Sequence, residues 1–171
     1  MPLPCLAVMV VHNSILKRMQ QPEELAALLS HETGHVQRRH TTRALFRSLS
    51  SYLFISFIIG DISGITAVIM QNADVLKRLE YSRRLEREAD EYSFEVLRRS
   101  RVNPQGLVLL FTHLKEEQGA ESSSGTQEFL STHPALDARI TAMKSMIKKN
   151  PYAVQPPDSL QYYWHKIKAG Q

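Results

Sequence analysis

The sequence has little cysteine, no concentrated block of charge and no signal peptide. Cys5 is the only cysteine among the 171 residues, which excludes an internal disulfide and leaves the redox compartment open. The net charge is +4, but the basic residues are dispersed along predicted helices, which favours solvated helix faces over nucleic-acid binding. Residues 1–11 lack the basic start and the small-residue cleavage site of a secretory signal. We therefore predict no nucleic-acid partner, and the sequence does not fix a compartment.

The composition supports one compact domain. Hydrophobic residues make up 43% of the chain and charged residues 22%, enough for a sizeable core. We predict that residues 1–150 form this core. Pro151 to Pro157 predicts an extended linker, and Ser159 to Lys168 predicts a short terminal helix that docks back onto the core.

The most informative stretch is His31-Glu32-Thr33-Gly34-His35, an HExxH sequence inside a strongly helical window. Residues four apart share one helix face, so His31 and His35 can converge on one metal ion. Neutral imidazoles are good zinc ligands, and two of them leave room for a third ligand and a water molecule. Glu32 can take a proton from that water. HExxH also recurs by chance, and the alternative is a solvated helix face that happens to carry two histidines.

The helix that carries this motif has a clear start and an unusual glycine. Pro22 suits a first helical position and is followed by two acidic residues, and we predict a helix from there to about His40. Gly34 is a poor helix former, so it indicates close approach of another backbone, such as a crossing helix. His40 lies five residues beyond His35, which on one continuous helix rotates it off the ligand face. We therefore leave His40 out of the site.

The remaining pattern predicts a mainly α protein with one short strand. Leu6 to Val11 is an apolar, partly β-branched run that predicts a buried strand. Gly119 to Gly125, with three serines in a row, predicts a flexible loop. Helical spacing and capping residues predict helices over about residues 72–99, 103–118 and 134–149. His113 lies among leucines in the second of these and is predicted to be structural.

Leu49 to Met70 is a 22-residue stretch with one charge, Asp61, and is long enough for a membrane span. A single span would separate the HExxH sequence from every residue after the stretch, and two spans need roughly 40 apolar residues. Glycine and polar residues divide the stretch near its middle. We therefore predict two short helices folded back as a hairpin, either buried or in contact with a membrane surface.

A pair of carboxylates supplies the candidate third ligand. Glu86 and Asp90 are four residues apart, so they share a helix face with the small Ala89 and the apolar stripe. Glu88 points elsewhere on that helix. The alternative for Glu86 is a surface carboxylate on a charged helix.

Three ordered motifs resemble one family of zinc peptidases. They are HExxH, then Ser-Arg-x-x-Glu-x-Glu-Ala-Asp, then a Ser/Thr-His-Pro segment followed by an arginine. The family includes HtpX, the CAAX prenyl proteases and the periplasmic β-barrel assembly-enhancing protease, and the last of these is nearest in pattern. In this chain the motifs occupy residues 31–35, 82–90 and 131–134 with Arg139, and the resemblance covers about residues 8–149.

The resemblance implies a gluzincin site with one Zn²⁺ per chain. His31, His35 and Glu86 are implied as its ligands, with water in the fourth position. Asp90, one turn beyond Glu86, is implied to accept a hydrogen bond from a ligand histidine and so fix the orientation of its ring.

Three further residues are implied to act in catalysis. Glu32 is the general base, and His133 and Arg139 are the candidates that stabilise the oxyanion of a tetrahedral intermediate. A histidine in this position also occludes the metal in relatives, so gating is a second role for His133. The alternative for His133 is a plain helix cap before Pro134.

The resemblance therefore implies a zinc metalloendopeptidase, a hydrolase in protein quality control that cleaves unfolded or membrane-associated proteins. The fold expected is an α+β zincin-like core that is mainly α. A bacterial periplasmic or membrane-associated location is favoured by the resemblance, with membrane-surface contact through Leu49 to Met70. Relatives carry further segments before the strand, so the chain is expected to be an N-terminally truncated catalytic core. The alternative functions are a non-catalytic, chaperone-like zinc module and a helical membrane-associated protein with an accidental HExxH.

Overall fold

The computed structural model describes residues 8–59, 83–117 and 123–170, and these ranges are almost entirely helical. The prediction of a mainly α fold is therefore confirmed. In chain order the helices of these ranges are α1 (Asn13–Arg18), α2 (Pro22–Gln37), α3 (His40–Ile59), α4 (Arg83–Arg99), α5 (Gln105–Glu116), α6 (Ser124–Thr132), α7 (Leu136–Lys149) and α8 (Asp158–Ala169).

The predicted N-terminal strand does not form where the structure describes it. Residues 8–11 are not in a strand, and Val8 and Val10 are 80% and 79% exposed. A β-strand needs a neighbouring strand for its backbone hydrogen bonds, and the described ranges contain no strand to pair with. Leu6 and Ala7, the first two residues of the prediction, lie outside the described residues.

Helix α2 carries the HExxH sequence and has a firmly capped start. Pro22 occupies its first turn, and one carboxylate oxygen of Glu24 accepts hydrogen bonds from the backbone N–H groups of Gln20 and Gln21 at 2.9 and 3.0 Å. The other carboxylate oxygen lies 2.8 Å from His113 Nδ1, so both oxygens of the buried Glu24 have a partner. His113 therefore has a structural contact, as predicted.

The end of α2 differs from the prediction in a way that matters for the site. The helix stops at Gln37 rather than near His40, and Arg39 has a left-handed backbone with φ of 51°. This turn redirects the chain, so that His40 becomes the first residue of α3 and returns towards α2.

Helices α2 and α4 lie against each other at close range, as Gly34 predicted. A Cβ atom at Gly34 would lie 3.1 Å from the Cα of Ala89 and 3.2 Å from its carbonyl oxygen. One turn earlier, the buried hydroxyls of Ser30 and Ser93 are 2.7 Å apart across the same contact. Small residues on both helices therefore let the HExxH face approach the face that carries Glu86.

The hydrophobic core continues from this contact through α5 and α7. Helix α5 packs between α2 and α7, and α8 also contacts α2. Trp164 of α8 belongs to the buried core, which confirms that the terminal helix docks back. The largest buried apolar side chains of the core are Phe94, Phe111, Met19, Leu97, Leu107, Leu110, Leu114 and Met143.

The predicted apolar hairpin is described only in its first half. Residues 49–59 belong to α3, which ends at Ile59 just before the predicted break. Its second half, and residues 72–82 of the next predicted helix, lie outside the described residues. In the ranges that are described, the helices fall short of the length and apolarity that a bilayer crossing requires.

Helix α6 replaces part of the predicted flexible loop. Gly125 lies within this helix, and the Ser123 side chain caps its start by accepting from Thr126 N at 3.4 Å. The buried Thr126 hydroxyl also donates to Glu117 at 2.7 Å, which ties α6 to the end of α5. The prediction failed here because serine favours helix caps as well as loops. The consequence is that His133 immediately follows a helix and is placed by it.

Candidate metal centre

The two histidines of the HExxH sequence point to the same place from one face of α2. His31 is fully buried, the side chain of His35 is 14% exposed, and their Nε2 atoms are 3.1 Å apart. This distance results from the four-residue spacing on one helix.

Glu86 approaches these histidines from α4. Its side chain is 2% exposed, and its carboxylate oxygens lie 3.6 Å from His31 Nε2 and 3.4 Å from His35 Nε2. The buried neighbours Leu85 and Ala89 hold this side of α4 against α2. Glu86 is thus an inward carboxylate, as its position beside Ala89 predicted.

His133 enters the same cluster from the end of α6. Its Nδ1 atom lies 2.9 Å from Glu86 Oε2 and 3.4 Å from His31 Nε2. One ligand atom each from His31, His35, Glu86 and His133 fits within 4.8 Å. The sequence assigned His133 to oxyanion stabilisation or gating, whereas the structure also brings it within reach of a metal.

The cluster has the donor set and the spacing of a divalent metal site. Two atoms bound tetrahedrally at about 2.05 Å to one zinc ion are about 3.3 Å apart, close to the separations found here. Glu86 Oε1 is buried and accepts no hydrogen bond within the described part of the chain, so it needs a partner that a cation would supply. Imidazole nitrogen and carboxylate oxygen are both ordinary zinc ligands. The residues therefore fit a bound zinc ion.

Asp90 and Arg139 form a buried ion pair next to the histidine–carboxylate cluster. Arg139 donates to both carboxylate oxygens of Asp90, at 2.8 and 2.6 Å. Asp90 Oδ1 also lies 3.0 Å from His31 Nδ1, the ring nitrogen that faces away from the cluster. This is the contact predicted for Asp90, which can hold the His31 ring in a fixed orientation.

The Arg139 guanidinium is more enclosed than its predicted oxyanion role suggests. Besides Asp90, its Nη1 lies 2.8 Å from Glu86 Oε2, and the guanidinium carbon lies 4.1 Å from the centre of the Phe111 ring. A planar fork of donors suits this simultaneous contact with two carboxylates. In this structure its charge is directed at the carboxylates of α4.

Glu32 lies at the more open side of the cluster. It is the neighbour of His31 in sequence, yet its side chain is 32% exposed whereas that of His31 is inaccessible. Its Oε1 lies 3.5 Å from His133 Nε2. A carboxylate here is accessible to water and lies outside the group of His31, His35, Glu86 and His133 that could hold a metal.

The electrostatics favour a charged carboxylate and a neutral His35. Burial raises the pKa of Glu86, but hydrogen bonds to His133 and His31 outweigh it and hold that pKa well below its usual range. Burial, assisted by the neighbouring His31, lowers the pKa of His35 to about 3. Anionic Glu86 and neutral His35 are the forms that bind a metal.

The pKa values of His31 and Asp90 shift in opposite directions. Burial lowers the pKa of His31, but its contacts with Asp90 and Glu86 dominate and the net change is upwards. Burial raises the pKa of Asp90, but the Arg139 and His31 hydrogen bonds bring it below its usual value. The two carboxylates therefore favour the protonated form of His31 when no metal is bound.

Sequence reasoning excluded His40, which lies directly beside the cluster, and Glu88, which contacts His40. His40, 1% exposed, has its Nδ1 atom 3.0 Å from His35 Nδ1, and Glu88 lies 3.3 Å from the other His40 nitrogen. The exclusion of His40 assumed one continuous helix, but Arg39 interrupts that helix. As predicted, Glu88 points away from the cluster, and its carboxylate faces His40. No glycine or proline marks the turn at Arg39 in the sequence, so the His40–Glu88 pair was missed.

Taken together, the structure is a helical domain whose buried histidine–carboxylate cluster has the form of a metal site built on an HExxH helix. The chain belongs to peptidase family M48, whose family model matches residues 6–147. This confirms the family resemblance and, for a family of metallopeptidases, a dependence on metal.

Named relatives agree with this family. The mitochondrial metalloendopeptidase OMA1 of Saccharomyces cerevisiae is 28% identical over 81% of this chain and 41% of its own length. The metalloprotease LoiP of Escherichia coli is 30% identical over 72% of this chain and 49% of its own. The β-barrel assembly-enhancing protease of Escherichia coli is 27% identical over 93% of this chain and 34% of its own. The chain thus spans less than half the length of each of these relatives, and no solved structure matches it.

Proposed function

We propose that this chain is a zinc-dependent endopeptidase core that binds one Zn²⁺ through His31, His35 and Glu86. The observation that supports the proposal most directly is the spacing of these side chains. The Nε2 atoms of His31 and His35 lie 3.1 Å apart, and one Glu86 carboxylate oxygen lies 3.6 Å from the first while the other lies 3.4 Å from the second. Membership of a peptidase family supports a protein or peptide as the substrate.

The chemistry follows from this arrangement. A zinc ion held by His31, His35 and Glu86 would act as a Lewis acid that lowers the pKa of a bound water and polarises the peptide carbonyl. Glu32 accepts the proton of the attacking water and returns it to the leaving amine. The Glu32 side chain is 32% exposed, so water can reach its carboxylate.

We propose that His133 contacts the developing oxyanion and also regulates access. Its ring lies between Glu32 and Glu86, with Nε2 3.5 Å from the former and Nδ1 2.9 Å from the latter. A substrate carbonyl at the cluster would have to displace His133 from Glu86, and the displaced ring would then be next to that carbonyl. For Arg139 we propose an electrostatic contribution, because its cation is directed at Glu86 and Asp90.

The proposal is tested by separating chemistry from metal binding. Glu32→Gln keeps the shape of the side chain and removes the base, so zinc content should stay at one per chain while peptide cleavage falls by about 10²- to 10⁴-fold. Glu86→Gln replaces an anionic ligand with a neutral one, so zinc affinity and cleavage should fall together. Glu95→Gln is the matched control, an exposed carboxylate of the same helix paired with Arg98.

Zinc stoichiometry and cleavage of an unfolded protein substrate are measured for the parent and all three variants. If Glu32→Gln cleaves like the parent, Glu32 is not the base and the mechanism is wrong. If the parent binds zinc but cleaves nothing, the non-catalytic zinc module becomes the better interpretation. Peptide products that are absent after chelation and return with zinc would support the enzyme.

The biological setting is a further part of the proposal. The relatives' names place one in mitochondria and link another to β-barrel assembly, and we propose a related role in protein quality control at or near a membrane. We propose residues 1–150 as the catalytic core and residues 151–171 as an appended segment whose helix α8 packs on it. Cell fractionation and flotation with vesicles would test membrane contact through Leu49 to Met70.

A further inference from the structure

We propose that His40 is a positioning residue for the ligand His35, and that Glu88 holds His40 in the required tautomer. The inference rests on the proposed metal site and extends it by one layer of contacts. It assigns a function to a histidine that the HExxH spacing excludes.

The geometry places His40 at the nitrogen of His35 that a metal does not use. His35 Nε2 faces His31 and Glu86, whereas His35 Nδ1 lies 3.0 Å from His40 Nδ1. The two rings meet edge to face, with centres 4.8 Å apart and planes at 88°. His40 is buried, so water does not compete for this contact.

This contact leaves one consistent assignment of protons. If His35 binds a metal through Nε2, its ring is neutral and its proton is on Nδ1. That N–H then donates to His40 Nδ1, which must be unprotonated to accept it. A neutral His40 therefore carries its proton on Nε2, the atom that faces Glu88.

Glu88 is the acceptor that this tautomer requires. Its Oε2 lies 3.3 Å from His40 Nε2, which has no aligned hydrogen bond in the described part of the chain. Arg43, on the same helix as His40, donates to Glu88 Oε2 at 2.6 Å and so fixes the carboxylate. The chain of contacts thus runs from Arg43 through Glu88 and His40 to His35. Such outer contacts to ligand histidines typically change metal affinity by about 10- to 100-fold when they are removed.

The alternative is that His40 only fills space between α2 and α3. Two substitutions separate the two roles. His40→Leu introduces an apolar side chain of similar volume and removes the acceptor. His40→Asn places its Oδ1 near the position of Nδ1 and restores an acceptor for His35, although it fills less space.

The measurement is zinc affinity of the full chain, by competition with a chelator at neutral pH, together with the visible spectrum of the Co²⁺-substituted protein. His40→Leu should weaken zinc binding by about 10- to 100-fold and alter the Co²⁺ spectrum. His40→Asn should bind zinc more tightly than His40→Leu and recover the parent spectrum. Glu88→Ala should weaken binding in the same direction, and Glu95→Ala, on the same helix, should not.

His113→Leu controls for loss of a partly buried histidine outside the cluster, because His113 pairs with Glu24 instead. Thermal unfolding of the metal-free variants shows which of them remain folded. The inference is overturned if His40→Leu binds zinc like the parent, or if His40→Asn is no better than His40→Leu. It is also overturned if His113→Leu lowers affinity equally. Failure of the parent to bind zinc would instead refute the proposed site, and this inference with it.

Discussion

Removing the Arg139 cation should destabilise the metal-free protein strongly. Arg139 is buried and is the cation in contact with both Asp90 and Glu86, whose side chains are also buried. Arg139→Met keeps a long side chain against Phe111 and leaves both carboxylates without their cation. Breaking a buried ion pair in this way costs about 3–5 kcal/mol. For a chain of this size each kcal/mol lowers the Tm by about 2–4 °C, so a decrease of about 6–20 °C is expected.

Thermal unfolding followed by circular dichroism, with chelator present, measures this effect. Arg98→Met is the control, since Arg98 is an exposed arginine of α4 paired with Glu95, and its Tm should change by no more than about 2 °C. Zinc should reduce the difference between Arg139→Met and the parent, because a bound cation compensates the charge of Glu86.

A double-mutant cycle shows whether the ion pair is the cause. Asp90→Asn removes the carboxylate that Arg139 contacts with two donors, so the two substitutions together should cost less than the sum of their separate effects. Additive effects, or an Arg139→Met Tm close to that of the parent, would refute the view that Arg139 compensates buried charge. An intact Tm combined with lost cleavage would restore the oxyanion role predicted from the sequence.

Two further predictions concern the helix contact and pH. Gly34→Ala should lower the free energy of unfolding by about 1–3 kcal/mol in denaturant titrations, because the added Cβ would lie 3.1 Å from the Ala89 backbone. Gly170→Ala is the control and should change this free energy little, because the nearest neighbour of its Cβ would be 3.6 Å away. Folding lowers the pKa values of Asp90 and Glu86, so these carboxylates stabilise the fold above about pH 4, and that stabilisation is lost as the pH falls further. Folding raises the pKa of His31, so its contribution to stability is lost as the pH rises through its folded-state pKa, which lies above 6.5. The Tm of metal-free protein should therefore be highest between these limits, and a Tm independent of pH from 3 to 8 would contradict the assigned contacts.

The sequence predicted those parts of the site that depend on helical spacing. Each of two pairs, His31 with His35 and Glu86 with Asp90, is four residues apart. That spacing places both members of a pair on one helix face, however the helices pack. Gly34 predicted that the two faces meet closely. These inferences needed only the local geometry of a helix and an apolar stripe, and both helices form.

What the sequence did not predict depends on the path of the chain between helices. The left-handed backbone at Arg39 returns His40 to His35, although a continuous helix would carry it away. Ser123 could belong to a loop or cap a helix, and the tertiary contact of Thr126 with Glu117 accompanies the helical outcome. A strand over residues 6–11 was favoured by composition, but composition supplies no partner strand.

The buried charges explain why metal and proton should compete for this cluster. Glu86 and Asp90 supply two negative charges, and Arg139 supplies one positive charge to both of them. The same two carboxylates raise the pKa of His31, so they favour a proton on its ring when no metal is bound. A metal ion held by the proposed ligands would use the Nε2 lone pair of His31 and supply positive charge of its own, so metal binding would compete with protonation of Nε2. The Asp90 contact then serves both states, because it stabilises the charged ring without metal and orients the neutral ring with it.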